Sequence, residues 1–235
     1  MGAIFRRELK AYFTSPIAYI FITVFYLYTA TYFVNYNVYY GLTDMSYVFQ
    51  CAFNILMILL PLLTMRLFTE EKRQKTDQCL LTAPVNLFSV VMGKFLAATC
   101  VFLCAIAVYA VYAVVLFGLS GYLAWATVIG NLAALVMLGA SFIAIGLFVS
   151  AMTESQVVAA IISFIIIMFF FMIDMLSGIV QIEWLRTVMV SLGFYSRYAE
   201  FSTGLFSLPN IIFFVSIIFI FNFLTVRALE KRRWA

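Results

Sequence analysis

The chain has 235 residues, of which 66% are hydrophobic, only 10% are charged and none is histidine. Soluble domains carry about 25% charged residues, so this composition excludes an ordinary soluble fold, and the missing imidazole removes histidine general bases, most catalytic triads and the commonest metal ligand. The net charge of +4 arises from basic residues clustered between and beside apolar runs, and it calls for no nucleic-acid partner.

The first element is Ala3–Thr14, AIFRRELKAYFT. It places Ile4, Phe5, Leu9, Tyr12 and Phe13 at helical spacing, with Arg6, Arg7 and Lys10 interleaved. Such a pattern predicts an amphipathic helix lying in the inner membrane interface. Ser15-Pro16 then supplies a capping residue and a proline preset for a first helical turn.

A helix needs about 20 mostly apolar residues to cross the hydrocarbon core. Six runs qualify: Ile17–Asn37, Gln50–Leu67, Phe95–Leu116, Leu123–Val149, Val157–Leu176 and Ile211–Ala228. They are apolar throughout, without the alternation of barrel strands, so the fold class is all-α integral membrane with six transmembrane helices. The polar start runs directly into the first span with no small-residue cleavage site, which predicts that this helix is retained. Basic residues accumulate in short cytoplasmic loops. Twelve of the fourteen Lys and Arg fall on the side holding the two termini and the second and fourth loops, against Arg186 and Arg197 on the other. Both termini are therefore expected to be cytoplasmic, with the basic ends at anionic head groups. Cys51, Cys100 and Cys104 fall within spans and Cys79 in a cytoplasmic loop, so they are expected to be small apolar fillers rather than disulfide partners.

Between the second and third spans lies a charged island, Met65–Lys94, MRLFTEEKRQKTDQCLLTAPVNLFSVVMGK. Glu70/Arg73 and Glu71/Lys75 stand three and four apart, a spacing that supports a solvated helix. Thr76-Asp77 offers a cap, Cys79-Leu80-Leu81 a short apolar face, and Ala83-Pro84 a stop, after which Asn86 restarts a helix through Gly93-Lys94.

Loops 38–49 and 117–122 are too small to fold alone. In the fourth span, Ala140/Ala144 and Gly146/Ser150 are small pairs four apart, which permit close packing within the bundle. The external segment 177–208 contains two apolar pieces, Trp184–Leu192 and Phe201–Phe206, each too short to cross. Short re-entrant helices fit this pattern; two surface helices resting on the bundle are the alternative.

Chemistry is scarce. No phosphate-cradling G-x-x-x-x-G-K-[ST] sequence and no G-x-S-x-G elbow occurs. Asp174, expected at the outer end of the fifth span, has no partner carboxylate in another span. Asn54, Ser141, Ser163 and Asn222 are the polar residues a translocation path would offer, in walls otherwise rich in aromatics. That lining suits lipid-like or amphipathic cargo better than small ions, and it lacks the buried acids and bases of an ion-driven carrier. Energy for transport would have to come from another protein.

The order of residues in the island resembles the ABC-2 type permeases, the membrane subunits of ATP-binding-cassette exporters. Glu70, Glu71, Lys72, Thr76, Leu80, Leu81, Thr82, Pro84, Gly93 and Lys94 match the family's segment between the second and third spans. Lys75 stands where the family usually has glycine, and Gln78 where it usually has glutamate. Phe5-Arg6-Arg7-Glu8-Leu9 with Ser15-Pro16 is similar to the family's amphipathic first helix, and Gly146 through Gln156 to its turn after the fourth span. Phe194-Tyr195-Ser196-Arg197-Tyr198, Phe201, Gly204 and the terminal Arg232-Arg233-Trp234 resemble the subgroup associated with gliding-motility exporters.

The resemblance implies one transmembrane domain over residues 1–235. Within it, 1–16 form an interface helix carrying Phe5, Arg6, Glu8 and Leu9, 68–94 a cytoplasmic coupling segment, and 177–208 paired re-entrant helices. Glu70, Glu71 and Thr76 would orient the coupling helix while Leu80, Leu81 and Pro84 touch a cytoplasmic ATPase. The chain itself would be non-catalytic and bind no cofactor, with ATP and magnesium held by the partner. It would work in a bacterial plasma membrane, beside a second permease copy or paralogue. A membrane anchor or assembly factor that recruits an ATPase and moves nothing uses the same island; an intramembrane enzyme ranks last, for want of paired catalytic groups.

Overall fold

A computed structural model describes residues 2–75, 86–179, 182–202 and 207–234. All their regular elements are helical. Helix α1 is Gly2–Thr14; α2 is Pro16–Phe33, continued by a π-helical turn at Val34–Tyr39; α3 is Ser46–Thr64 and α4 Arg66–Arg73. Helices α5 (Leu87–Ile106) and α6 (Val108–Ser120) form one long span broken at Ala107. Then follow α7 (Trp125–Met152), α8 (Gln156–Ser177), the short α9 (Glu183–Leu192) and α10 (Phe194–Ser202), and α11 (Leu208–Trp234).

Among the described residues six helices are long and apolar enough to cross a membrane: Pro16–Tyr39, Ser46–Arg73, Leu87–Ser120, Trp125–Met152, Gln156–Ser177 and Leu208–Arg233. Each contains one of the six runs expected from the sequence, apart from the first two residues of the fourth. The apolar runs are long enough for every backbone group to be paired within its own helix, which is what lets them sit in lipid.

The bundle is built around α7, which touches α3, α4, α5, α8, α10 and α11. Its small residues explain that position. A Cβ on Gly139 would overlap the ring of Phe102, and one on Gly146 would overlap the Thr64 hydroxyl. Ala140, Ser141, Ala144, Ser150 and Ala151 are buried on the same helix. Small residues at these positions let the neighbours approach α7 closely, so packing contacts accumulate where burial from water gives no drive. The close packing expected from this span is thus within the chain.

Local sequence accounts for the helix ends. Pro16 occupies the first turn of α2, with Ser15 extended before it. The Ser15 hydroxyl, expected to cap α2, instead donates to the Tyr12 carbonyl at 3.1 Å and accepts from Arg66 at 2.9 Å. Asn86 does cap α5, its Oδ1 accepting from the Phe88 amide at 3.0 Å. Gly121, in the left-handed region at φ 68°, closes α6 by donating its N–H to Phe117.

The two short helices α9 and α10 behave differently from each other. Helix α9 buries no residue. Helix α10 inserts Phe194, Tyr198 and Phe201 into the core, each 1% exposed or less. The Tyr198 hydroxyl donates to the Phe49 carbonyl at 2.9 Å, and Gln50 donates to the Tyr195 hydroxyl at 2.6 Å.

Candidate coupling site

The amphipathic face expected for α1 is the one that packs. Tyr12 is buried, while Ile4, Phe5, Leu9 and Phe13 are partly buried against the core; Arg6 and Lys10 are exposed. The helix lies along the start of α5, where a Cβ on Gly93 would come to 3.0 Å from the Ile4 side chain. The Tyr12 hydroxyl donates to the Leu63 carbonyl at 3.0 Å. Burial pushes its phenol pKa up, against a smaller lowering by Arg66, so the hydroxyl stays a donor.

This docking brings together charges that are far apart in the chain. Lys94, 1% exposed, reaches Glu8 at 3.1 Å and Glu71 at 3.0 Å and donates to the Leu67 carbonyl at 2.7 Å. Arg7 closes the arrangement, its Nη2 lying 2.6 Å from both Glu8 and Glu71. The Glu8 hydrogen bond is the largest cause raising the Arg7 pKa, so the guanidinium stays charged. Two cations thus bridge two carboxylates, joining α1, α4 and α5. Lys94 also lies 5.0 Å from the centre of the Phe68 ring. A cation removed from water needs such an enclosure, because isolated burial is strongly unfavourable. An open cavity of about 350 Å³ adjoins the group, walled by Arg7, Glu8, Arg66, Glu70, Glu71 and Lys94.

A second fastening ties α4 to the end of α7. Lys72 is buried and donates to the carbonyls of Ala151 and Thr153. The Ser150 hydroxyl accepts from the amides of Phe68 and Thr69, at 2.9 and 3.3 Å, and donates to the Met65 carbonyl at 3.2 Å. Helix termini leave backbone groups without intrahelical partners. Here one serine and one lysine satisfy them at two termini together, where α3 hands over to α4 and where α7 ends. The helical arm that opens the island, α4, is therefore held to α1, α5 and α7 at once.

Residues 6–170, more than half of the chain, match the family model described as ABC-2 family transporter protein. The chain belongs to the ABC-2 transporter family. No curated protein matches it closely enough to count as a relative. As an ABC-2 family member it is a membrane transport component and a permease subunit of an ABC transporter, a class that is generally non-catalytic and associates with an ABC ATPase.

Of the six island residues assigned to coupling in this ABC-2 chain, Glu70 and Glu71 belong to the arm. Glu70 pairs with Arg66 at 3.3 Å, one turn before it, and Glu71 is held by Arg7 and Lys94. Thr76, Leu80, Leu81 and Pro84 lie outside the described residues, as does the cap expected at Thr76-Asp77. On α1, Phe5 and Leu9 face the core and Glu8 faces Lys94, while Arg6 is exposed. The four polar path residues lie on four different helices, α3, α7, α8 and α11. Ser141 is buried, donating to Met137 at 2.9 Å and Phe214 at 3.4 Å; Ser163 donates to Ala159 at 2.7 Å and Asn222 to Ile218 at 2.8 Å. Asn54 is exposed and lines a cavity of about 440 Å³ with Tyr47, Gln50, Cys51, Tyr195 and Ser196.

Two residues do more than their sequence pattern suggests. Lys94 belongs to the island and the family's G-K, and the signal for its role is a lysine opening a long apolar run, where an unpaired charge is disfavoured. Asp174 has no partner carboxylate in the sequence pattern. It is buried at the C-terminal end of α8, accepting from the Tyr195 and Ser196 amides at 2.6 and 3.3 Å and from the Ser196 hydroxyl at 2.6 Å. Its partner is the first turn of α10, which needs an acceptor there and favours negative charge.

Proposed function

We propose that this ABC-2 permease serves an exporter. It forms a path with a second permease copy or paralogue and is driven by two separate cytoplasmic ATPase chains that hold ATP and magnesium. The end of the bundle bearing α1, α4 and the start of α5 faces the cytoplasm of a bacterial plasma membrane, as the distribution of Lys and Arg supports. The segment 68–94 is the seat of the ATPase, with Leu80, Leu81 and Pro84 as its contact and Glu70, Glu71 and Thr76 orienting it. Helices α9 and α10 act as re-entrant elements near the exit. The strings at Phe194–Tyr198 and the C-terminus favour the gliding-motility-associated subgroup.

The observation that carries this reading is Lys94 bridging Glu8 and Glu71. A push on the segment after Glu71 is delivered to α1 and to the head of a spanning helix, because all three share one buried cation. With Lys72 and Ser150 passing the same motion to α7, the island has a rigid connection to the centre of the bundle. Coupling of this kind needs a two-state element biased by the partner; rocking of the two permease bundles supplies it.

The test is a Leu80→Asp variant co-expressed with its ABC ATPase and reconstituted in nanodiscs. The variant is expected to insert normally yet lose the ATPase from the purified complex and lose ligand-stimulated hydrolysis. Normal co-purification and normal stimulated turnover would overturn the assignment. ATPase recruitment without any response of hydrolysis to amphiphiles would favour a non-transporting anchor.

A further inference from the structure

Two cavities open on the same side of the bundle between α3 and α8. One, of about 440 Å³, is the polar cavity lined by Asn54. The other, of about 300 Å³, is walled by Ile58, Pro61, Leu62, Ala160, Ile161 and Phe164. Tyr47, Cys51, Asn54, Ile58 and Pro61 recur every three or four residues, so they form one stripe of α3. Ile161, Phe164, Phe171 and Met175 stand three, seven and four apart on α8 and so share a stripe there too. The cavities therefore follow one another along the seam between α3 and α8. From Tyr47 to Pro61 it runs roughly 21 Å at 1.5 Å per residue, longer than the roughly 15 Å of one leaflet's hydrocarbon.

The two ends differ in chemistry. The far end is wholly apolar, walled by aliphatic side chains and one phenyl ring. The near end presents the Asn54 amide and the Tyr47 hydroxyl, with the Gln50 amide bonded to the Tyr195 hydroxyl and the Ser196 hydroxyl bonded to Asp174 beside them. Among the described residues its wall holds no lysine or arginine, so an anionic head would be left uncompensated there. The carboxylate among its described residues, Asp174, is already committed to the first turn of α10. Beside it stands a run of tyrosines on α2. Tyr28 and Tyr32 lie 4.9 Å apart, Tyr32 and Tyr47 6.2 Å, and Tyr36 and Tyr47 4.0 Å. Tyr36 reaches that place from the π-helical turn Val34–Tyr39, a distortion that recurs at functional sites. Ring faces carry negative charge and attract the C–H edges of a sugar ring, while hydroxyl and amide groups meet its hydroxyls.

We propose that this seam binds a lipid-like amphiphile with a neutral, polyhydroxylated head, such as a glycosyl lipid. The head sits between Tyr47, Gln50 and Asn54, and the acyl tail lies along Ile58, Leu62 and Phe164. This deepens the transport reading and rests on it for the seam's role as part of the path.

The test uses the full chain in nanodiscs with a glucosyl diacylglycerol carrying a photoreactive group in its acyl chain. Crosslinks are expected on 47–62 of α3 and 161–175 of α8. Unlabelled glucosyl lipid should compete at a concentration about tenfold lower than phosphatidylcholine or phosphatidylglycerol with the same chains, the ratio one or two hydrogen bonds provide. Asn54→Leu, an exposed position whose loss spares the core, should weaken capture by a similar factor, and Tyr47→Phe less than Tyr47→Leu. Equal competition by phosphatidylcholine would make the tyrosines a cage for a quaternary ammonium and overturn the proposal. Equal competition by phosphatidylglycerol, or crosslinks spread evenly over the exposed helices, would overturn it too. Capture is read without ATPase or nucleotide, so its failure leaves the Leu80→Asp test of coupling untouched. Specific capture with no effect on ATP hydrolysis would instead sink the transport role alone.

Discussion

Lys94 Nζ lies 3.1 Å from the Glu8 carboxylate across 86 positions of sequence, and the lysine is 1% exposed. This contact joins the first helix to the head of the third spanning helix, and Glu71 joins the arm of the island to the same cation at 3.0 Å. Removing one member of a buried ion pair leaves the others uncompensated. Lys94→Met should therefore cost about 3–5 kcal/mol of stability. Thermal unfolding in detergent would show this as a lowered midpoint, and adding Glu8→Gln to Lys94→Met should restore part of it. An unchanged midpoint for Lys94→Met would mean that the bridge contributes nothing.

Gly146 of α7 faces Thr64 of α3 with no room for a methyl group. Gly146→Ala is expected to force these helices apart, with a loss of about 1–3 kcal/mol, the usual range for overpacking. Thr64→Ala removes the hydroxyl in the way, so the double variant should recover part of the loss. Purified yield and unfolding midpoint of the two single variants and the double one decide the point; no recovery would place the strain elsewhere.

Asp174 caps α10 by accepting from two backbone amides and one hydroxyl. Asp174→Ala should destabilise the α8–α10 junction by about 1–2 kcal/mol, as loss of a helix cap does. Because α10 carries Phe194, Tyr198 and Phe201 into the core, hydrogen exchange of 194–202 should rise ahead of exchange in α7. Uniform exchange in both would show that α10 is held by its rings and not by the cap.

Lys75 has φ 57°, the described non-glycine residue in the left-handed region. This is the position where the ABC-2 pattern usually has glycine, which adopts that conformation without a Cβ penalty. Lys75→Gly should stabilise the end of α4 by about 1 kcal/mol, the order of the penalty removed. Limited proteolysis of the 66–94 segment should slow in that variant; faster cleavage would show that the lysine side chain itself holds the segment.

The sequence by itself determined the six spanning helices, since only a helix of that length keeps every backbone group paired along an apolar run. Local chemistry in the same way made the packing face of α1, the proline start of α2 and the Asn86 cap legible, because each rests on residues a few positions apart. The family was legible too, in the order of residues around Glu70, Glu71 and Gly93-Lys94. Long-range pairing was not. The nearest carboxylates by spacing suggested Glu70/Arg73 and Glu71/Lys75, yet Glu71 is held by Arg7 and Lys94, which only docking of α1 against α5 brings near. Ser141, Ser163, Asn222 and Asn54 looked equivalent as lone polar residues in apolar spans. The tertiary structure separated them: the first three bond carbonyls of helices and are buried, while Asn54 opens onto a cavity. Helical period tells which residues share a stripe, but which stripe meets a neighbour and which stays open depends on the packing of all six helices at once.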